Sequence, residues 1–355
     1  MKNIGILVYD VSLTGGAENV AINLSEEISK KHNVFLISIF DKLGYSPSDT
    51  VTFYSIENET KSLTLNLFHI AQKLRKYIKD NNIDIIMNIT AGVNTVSLLA
   101  TAGLNSKTIY CEHSNLYNQT YGKKHIFRQW LGAKYCDYVI ALTESDKNEF
   151  IRRYNIENKC DYIYNWYENK NNSDVYDANS KSIISVGRLE KVKGYDRLIE
   201  VAKIVLKENP DWVWNIYGSG SQKEELEKLI IENELEKNVF LKGNVSNVLD
   251  LYSEHAFLVL TAYYEGLPLA LLEAQSHNLP IVSFDCYTGP SEIITNSVNG
   301  FLIDNGNINE MANKINLLIR DENLRCEFSN NATINIYKFE KKQIIEKWFN
   351  LIEKV

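Results

Sequence analysis

Two pairs of charged residues stand out in this 355-residue sequence: Arg188 with Lys193, and Glu265 with Glu273. The run Gly187-Arg188-Leu189-Glu190-Lys191-Val192-Lys193-Gly194 sets three cations on one short stretch. A planar guanidinium chelates phosphate oxygens and an ammonium acts as a point charge, so such a loop suits a diphosphate. A plain solvated basic loop is the competing reading. In Tyr263-Tyr264-Glu265-Gly266-Leu267-Pro268-Leu269-Ala270-Leu271-Leu272-Glu273-Ala274, Pro268 marks the first turn of a helix. That puts Glu265 in the loop before the helix and Glu273 within it, so the two acids address different parts of a ligand. An acid before an apolar helix can also be a simple cap. Glu273, however, sits among apolar residues where an unpaired charge is costly, and it calls for a polar partner.

Two glycine-bearing turns join these. Thr14-Gly15-Gly16-Ala17-Glu18 opens a helix, where free amides favour an anion, and Tyr217-Gly218-Ser219-Gly220-Ser221 lets backbone approach a ligand closely. Either can equally be only a tight turn.

All four segments follow short β-branched runs, and in an open α/β sheet ligands sit beyond the carboxyl ends of the strands. Ile4–Val8, Val34–Phe40, Ile85–Ile89, Thr108–Cys111, Tyr138–Leu142 and Tyr162–Ile163 read as strands, separated by helical stretches such as Ala17–Lys31 and Leu63–Lys79. The polar, aperiodic text from Trp166 to Lys181 reads as a linker. The alternation then restarts with Ser182–Val186, Trp212–Tyr217, Val239–Lys242, Phe257–Leu260, Ile281–Phe284 and Phe301–Ile303. The fold class is therefore α/β: two Rossmann-like, doubly wound domains, residues 1–165 and 182–337, facing a cleft. The final stretch, 338–355, is helical and can pack on either half. Neither half carries a strict Gly-x-Gly-x-x-Gly, so ordinary dinucleotide binding is not indicated.

Composition narrows the classes. The chain is long enough for two cores, with 45% hydrophobic and 23% charged residues, 5 Pro and 17 Gly. A net charge of -7 argues against nucleic acid as a partner. Five scattered cysteines without a Cys-x-x-Cys suggest neither a disulfide framework nor a zinc site, and fit a reducing cytoplasm. The N-terminus runs directly into a strand and no apolar stretch is long enough to span a bilayer, so the expectation is a cytoplasmic protein, at most peripheral to a membrane.

Taken in order, Ser185-Val186-Gly187-Arg188-Leu189, Lys193-Gly194, Tyr217-Gly218-Ser219-Gly220, Glu265-x7-Glu273, Gly289-Pro290-Ser291-Glu292-Ile293-Ile294 and Asn299-Gly300 resemble the retaining glycosyltransferases of family four, which have the GT-B fold. The resemblance covers essentially the whole chain. Its N-terminal half is carried by Gly15-Gly16 and by Glu112-His113-Ser114. It implies that Arg188 and Lys193 hold the donor diphosphate, that Glu273 bonds the nucleotide ribose, and that Glu265 addresses a sugar hydroxyl near the reaction centre. By the same resemblance Gly218 and the run Gly266-Leu267-Pro268 would complete the donor site, and Gly15 and Gly16 would face the phosphates. His113 would lie beneath the transferred sugar and bond one of its hydroxyls; a histidine merely satisfied in a turn is the alternative.

The sequence has no Asp-x-Asp, no His-Glu-x-x-His and no cluster of His or Cys ligands, so no cofactor or metal is expected and the protein must supply the positive charge itself. The resemblance further implies front-face transfer, in which the leaving phosphate accepts the acceptor's proton. It points to a uridine-diphosphate hexose or N-acetylhexosamine as the donor substrate and a lipid-linked oligosaccharide of a surface polysaccharide as the acceptor. Residues 121–134 combine lysines with Phe127, Trp130 and Leu131 and can rest on an anionic membrane; an ordinary helix with its aromatics in the core is the competing reading. Two other functions fit such a fold: a nucleotide-sugar epimerase, and a sugar-nucleotide-binding partner without turnover.

Overall fold

A computed structural model of the chain describes residues 1–12, 16–41, 48–57, 62–113, 116, 122–167, 176–245 and 247–355. The chain divides into two compact units, Met1–Asn165 with Lys342–Val355, and Trp166–Lys341.

Unit 1 is built on seven strands: β1 (Asn3–Asp10), β2 (Asn33–Phe40), β3 (Thr52–Glu57), β4 (Ile85–Ile89), β5 (Lys107–Cys111), β6 (Tyr138–Ala141) and β7 (Cys160–Tyr162). They pair in parallel in the order β3-β2-β1-β4-β5-β6-β7. Central strands of such a sheet are covered on both faces, which is why β1 and β4 are predominantly apolar and largely buried. Leu7, Ile37, Phe40 and Ile86 pack on one side with the helix Leu67–Asp80. Tyr110, Val139 and Phe150 pack in a second cluster with the helices Lys123–Tyr135 and Glu144–Tyr154. The sequence reading missed β3. It is an edge strand, Thr-Phe-Tyr-Ser-Ile-Glu, with Ile56 alone fully buried, so no apolar run marks it.

Unit 2 has six strands: β8 (Ser182–Val186), β9 (Val213–Tyr217), β10 (Val239–Gly243), β11 (Phe257–Leu260), β12 (Ile281–Asp285) and β13 (Gly300–Asp304). All pair in parallel in the order β10-β9-β8-β11-β12-β13. Trp214 is pinned within this core, its indole donating to Ser185 Oγ at 3.0 Å while Ser185 donates to the Val259 carbonyl at 2.7 Å. A buried hydroxyl thus has a partner on either side and incurs no desolvation deficit.

In each unit the strand order reverses beside the first strand, between β1 and β4 and between β8 and β11. These are the switch points where the diverging helices leave a crevice at the strands' carboxyl ends.

Both ends of the expected linker make defined contacts. Trp166 and Tyr167 are buried, Tyr167 bridges to Glu340, and the Tyr176 hydroxyl donates to the Ala256 carbonyl at 2.7 Å. Residues 168–175 lie outside the described residues. The helix Lys341–Lys354 packs on unit 1 through Ile344, Trp348, Leu351 and Ile352, and Lys2 Nζ donates to the Ile352 carbonyl at 2.6 Å.

Candidate functional site

Four loops of unit 2, each following a strand, form one cluster around the β8/β11 switch point. The loop after β8 carries Arg188 and Lys193; the Leu189 amide donates to the Ser219 carbonyl at 2.9 Å, tying it to the loop after β9. The Tyr263 amide donates to the Val192 carbonyl at 2.8 Å, tying it to the loop after β11. A Cβ at Gly218 would lie 2.0 Å from the Gly187 carbonyl oxygen, and its φ of +142° is one that side chains rarely adopt, so only glycine lets these loops meet. Gly289, with φ +94°, approaches the Gly266 carbonyl in the same way, at 2.3 Å from where its Cβ would be, and stacks the loop after β12 on Glu265-Gly266. The Thr288 hydroxyl adds a bond to the Glu265 carbonyl at 3.0 Å.

This framework brings two of the candidate residues together. Lys193 Nζ donates to Glu265 Oε1 at 2.6 Å, with the side chains 22% and 9% exposed. Arg188 differs: it is exposed, and its side chain forms no hydrogen bond or ion pair with any described residue. Its neighbour Glu190 is engaged elsewhere, accepting from the Ser221 amide at 3.0 Å and hydroxyl at 2.8 Å, which holds its carboxyl below the usual range.

Leu267 is buried. Pro268 corrects one expectation: it is the N-cap residue, with ψ 103°, and the helix proper is Leu269–Ser276. An extended ψ at that residue cannot continue a helix, so the turn starts one position later. Glu273 lies in this helix, as read from the sequence, and has the polar partner that its surroundings demanded: the Tyr252 hydroxyl donates to its Oε2 at 2.8 Å. Burial pushes the Glu273 carboxyl above its usual range, and the bond from Tyr252 offsets part of that. Tyr252, Thr288 and Tyr195, whose hydroxyl donates to the Gly187 carbonyl at 3.1 Å, were not singled out from the sequence. Nothing in their local spacing marks them.

In unit 1, β5 runs into Glu112 and His113. Glu112 is buried and held by the Tyr110 hydroxyl and by Gln129 Nε2 at 3.1 Å, and the Tyr154 hydroxyl in turn donates to Gln129 Oε1 at 3.1 Å. His113 is half-buried as a residue, but both ring nitrogens are shielded from water and have no partner among the described residues. Desolvation pulls its pKa down to about 4, against a smaller upward pull from Glu112. At neutral pH the imidazole is therefore uncharged, with one donor and one acceptor unused, the complement of a hydroxyl group. Gly16 begins the helix Gly16–Ser29, and a side chain there would meet nothing within 4 Å. Gly15 and Ser114 lie outside the described residues.

The His113 environment has a measurable consequence. The unfolded chain binds a proton at His113 near the ordinary histidine pKa of 6.5, the folded chain only near 4, so stability is retained above 6.5 and lost as pH falls through this window. The difference is on the order of 3 kcal/mol. His113→Asn should lose less stability than the wild type between pH 7 and pH 4.5 in chemical denaturation. Equal losses would mean that His113 is hydrated in the folded protein.

Among the described residues there is no group of three or more His, Cys, Asp or Glu side chains that could hold a metal ion, and no helix long and apolar enough to cross a membrane.

Residues 167–334 match the family described as glycosyl transferases group 1, and residues 14–169 match glycosyltransferase family 4. The chain belongs to the family-four glycosyltransferases. This glycosyltransferase is 32% identical over 299 residues to the poly(ribitol-phosphate) α-N-acetylglucosaminyltransferase of Staphylococcus aureus, covering 82% of this chain and 59% of that one. It is 29% identical to an α-1,4-N-acetylgalactosaminyltransferase of Campylobacter jejuni that is named for an undecaprenol-diphosphate-linked acceptor, covering 100% of this chain and 99% of that one. The crystal structure of a mutant S. aureus TarM, bound to fondaparinux, α-GlcNAc-glycerol and UDP, superposes with a TM-score of 0.84 at 21% identity, covering 99% of each chain. That likeness is one of fold, the GT-B architecture of two doubly wound units.

Proposed function

We propose that this glycosyltransferase is a retaining, metal-independent enzyme that moves a hexose or N-acetylhexosamine from a UDP-sugar to a hydroxyl of a lipid-linked surface-polysaccharide intermediate. The observation that carries the donor half of this reading is the pairing of a free guanidinium, Arg188, with the Lys193–Glu265 ion pair at the β8/β11 switch point. Two cations and one carboxylate on loops held rigid by backbone contacts match a sugar diphosphate, whose charge lies on one side and whose hydroxyls lie on the other. UDP bound to TarM, and the acceptors named for the two relatives, support the choice of nucleotide and acceptor class.

In this reading Arg188 and Lys193 contact the β-phosphate, and the amides at the start of the helix Leu269–Ser276, by Gly266, Leu267 and Pro268, add partial positive charge. Gly218 keeps the loops close enough for the nucleotide, and Gly15 and Gly16 face the phosphates. Glu273, levelled by Tyr252, accepts from the ribose hydroxyls. Glu265 orients a sugar hydroxyl while His113 bonds another. The bond between the anomeric carbon and the phosphate oxygen breaks as the acceptor oxygen bonds the same face of that carbon, and the acceptor's proton passes to the departing phosphate. The growing negative charge on that phosphate is what the cations stabilise, so neither a side-chain nucleophile nor a metal enters the step.

The test is UDP release from a panel of UDP-sugars in the presence of EDTA, with and without a polyprenyl-diphosphate-linked acceptor. Release from one donor that rises with acceptor, unchanged by EDTA and giving an axial linkage from an axial donor, is the expected result. Dependence on added metal, an inverted anomeric centre or a glycosylated Glu265 would each overturn the corresponding part. Sugar isomerisation without UDP release would replace transfer by epimerisation.

A further inference from the structure

The helix Lys123–Tyr135 has two unlike faces. Its inner face is fixed by buried Gln129, Gly132 and Ala133, and Asn94 Nδ2 donates to the Arg128 carbonyl at 3.2 Å. A Cβ on Gly132 would fall 2.1 Å from the Asn94 side chain, so the helix lies as close to its neighbour as backbone allows. The outer face cannot turn inward. It carries Ile126, Phe127, Trp130 and Tyr135, the last three 56%, 39% and 58% exposed. Their rings form a ladder: Phe127 and Trp130 stack at 5.8 Å between centroids, and Tyr135 meets Trp130 edge-on at 5.8 Å. Leu99, also exposed, extends this apolar face beside a cavity of about 770 Å³ lined by Leu98, Leu131 and Tyr135. An ordinary helix with its aromatics in the core is thereby excluded, since Phe127 and Trp130 lie at the surface.

Four cations, Lys123, Lys124, Arg128 and Lys134, lie on the same helix, and no Asp or Glu occurs from residue 122 to residue 136 in a chain whose net charge is -7. Contiguous exposed aromatics among lysines are the composition of a bilayer interface, where indole and phenol rings take the headgroup level and ammonium groups meet anionic lipid. A two-fold contact through this face would instead set four cations against the same four.

We propose that the helix Lys123–Tyr135 docks unit 1 on an anionic lipid bilayer, with Phe127, Trp130 and Tyr135 entering the interface and Lys123, Lys124 and Lys134 on the phosphate groups. For the proposed function this brings the enzyme to the surface that carries its acceptor. The docking itself needs neither donor nor acceptor, so the two readings fail separately.

Trp130 makes the proposal directly testable, because the other four tryptophans, Trp166, Trp212, Trp214 and Trp348, are all buried. The full chain would be sedimented with vesicles of phosphatidylcholine, alone and mixed with phosphatidylglycerol, and its fluorescence followed with brominated acyl chains. Binding to the mixed vesicles that weakens with salt, together with quenching lost in Trp130→Phe, is expected. Lys123→Ala with Lys124→Ala should weaken partition about 25-fold, from roughly fivefold for each basic residue at such a surface. Phe127→Ser with Tyr135→Ser should weaken it at least about tenfold. These side chains are exposed, and an unchanged circular dichroism spectrum and melting temperature identify folded variants. A chain that stays in solution with every vesicle, binding undiminished in both variants, or a concentration-dependent dimer that the Phe127 variant disrupts would each overturn the proposal.

Discussion

Arg188→Ala is expected to lower turnover by about 10²–10³-fold at saturating donor, the loss typical of one pre-organised donor to a developing oxyanion. The fold should not register the change. The side chain is exposed and bonds no described residue, so its removal should alter stability by no more than about 0.5 kcal/mol in chemical denaturation. That separation makes Arg188 the cleanest probe of the proposed site, since a loss of turnover cannot be passed through a damaged scaffold. Arg188→Lys should recover only part of the loss, because an ammonium keeps the charge but lacks the planar fork that spans two phosphate oxygens. A loss below about threefold in the alanine variant would remove Arg188 from the leaving-group site and return it to the solvated-loop reading.

The sheets were legible in the sequence wherever burial on both faces writes a short, predominantly apolar run, as in Ile4–Val8 and Ile85–Ile89. They were illegible at β3, whose edge position leaves Thr52, Ser55 and Glu57 interleaved with its apolar residues. The site behaves the same way. The cost of an unpaired charge announced that Glu273 needs a partner, but Tyr252 reaches it from the 3-10 segment Val248–Glu254, a contact that no local spacing encodes. Arg188, Lys193 and Glu265 were each recognisable by type and by their place after a strand. That Lys193 and Glu265 form a pair follows only from the strand order, which sets β11 beside β8. Pro268 was misplaced by one residue because proline suits both the first turn of a helix and the extended residue before it, and only the observed ψ decides between them.

Glu265→Gln and Lys193→Ala should part company, although the two side chains bond each other. The Lys193 ammonium is neutralised by Glu265 at 2.6 Å. A diphosphate arriving at this loop must share that ammonium with a carboxylate that repels it. Removing the charge of Glu265 while keeping its shape therefore removes repulsion, and UDP should bind Glu265→Gln as tightly as the wild type or more tightly. Turnover should nevertheless fall by about 10²–10³-fold, because a carboxylate that orients the sugar holds it more strongly than an amide does. Lys193→Ala should weaken UDP binding and lower turnover together, having lost a contact made in both the ground and the transition state. It also breaks the 2.6 Å ion pair with Glu265, whose side chain is 9% exposed, so a stability loss of about 1–3 kcal/mol accompanies it. Binding of UDP by titration calorimetry, set beside kcat, reads the two variants independently. Parallel losses of UDP affinity in both would mean that Glu265 acts only by holding Lys193 in place, and the assignment of Glu265 to the sugar would fall.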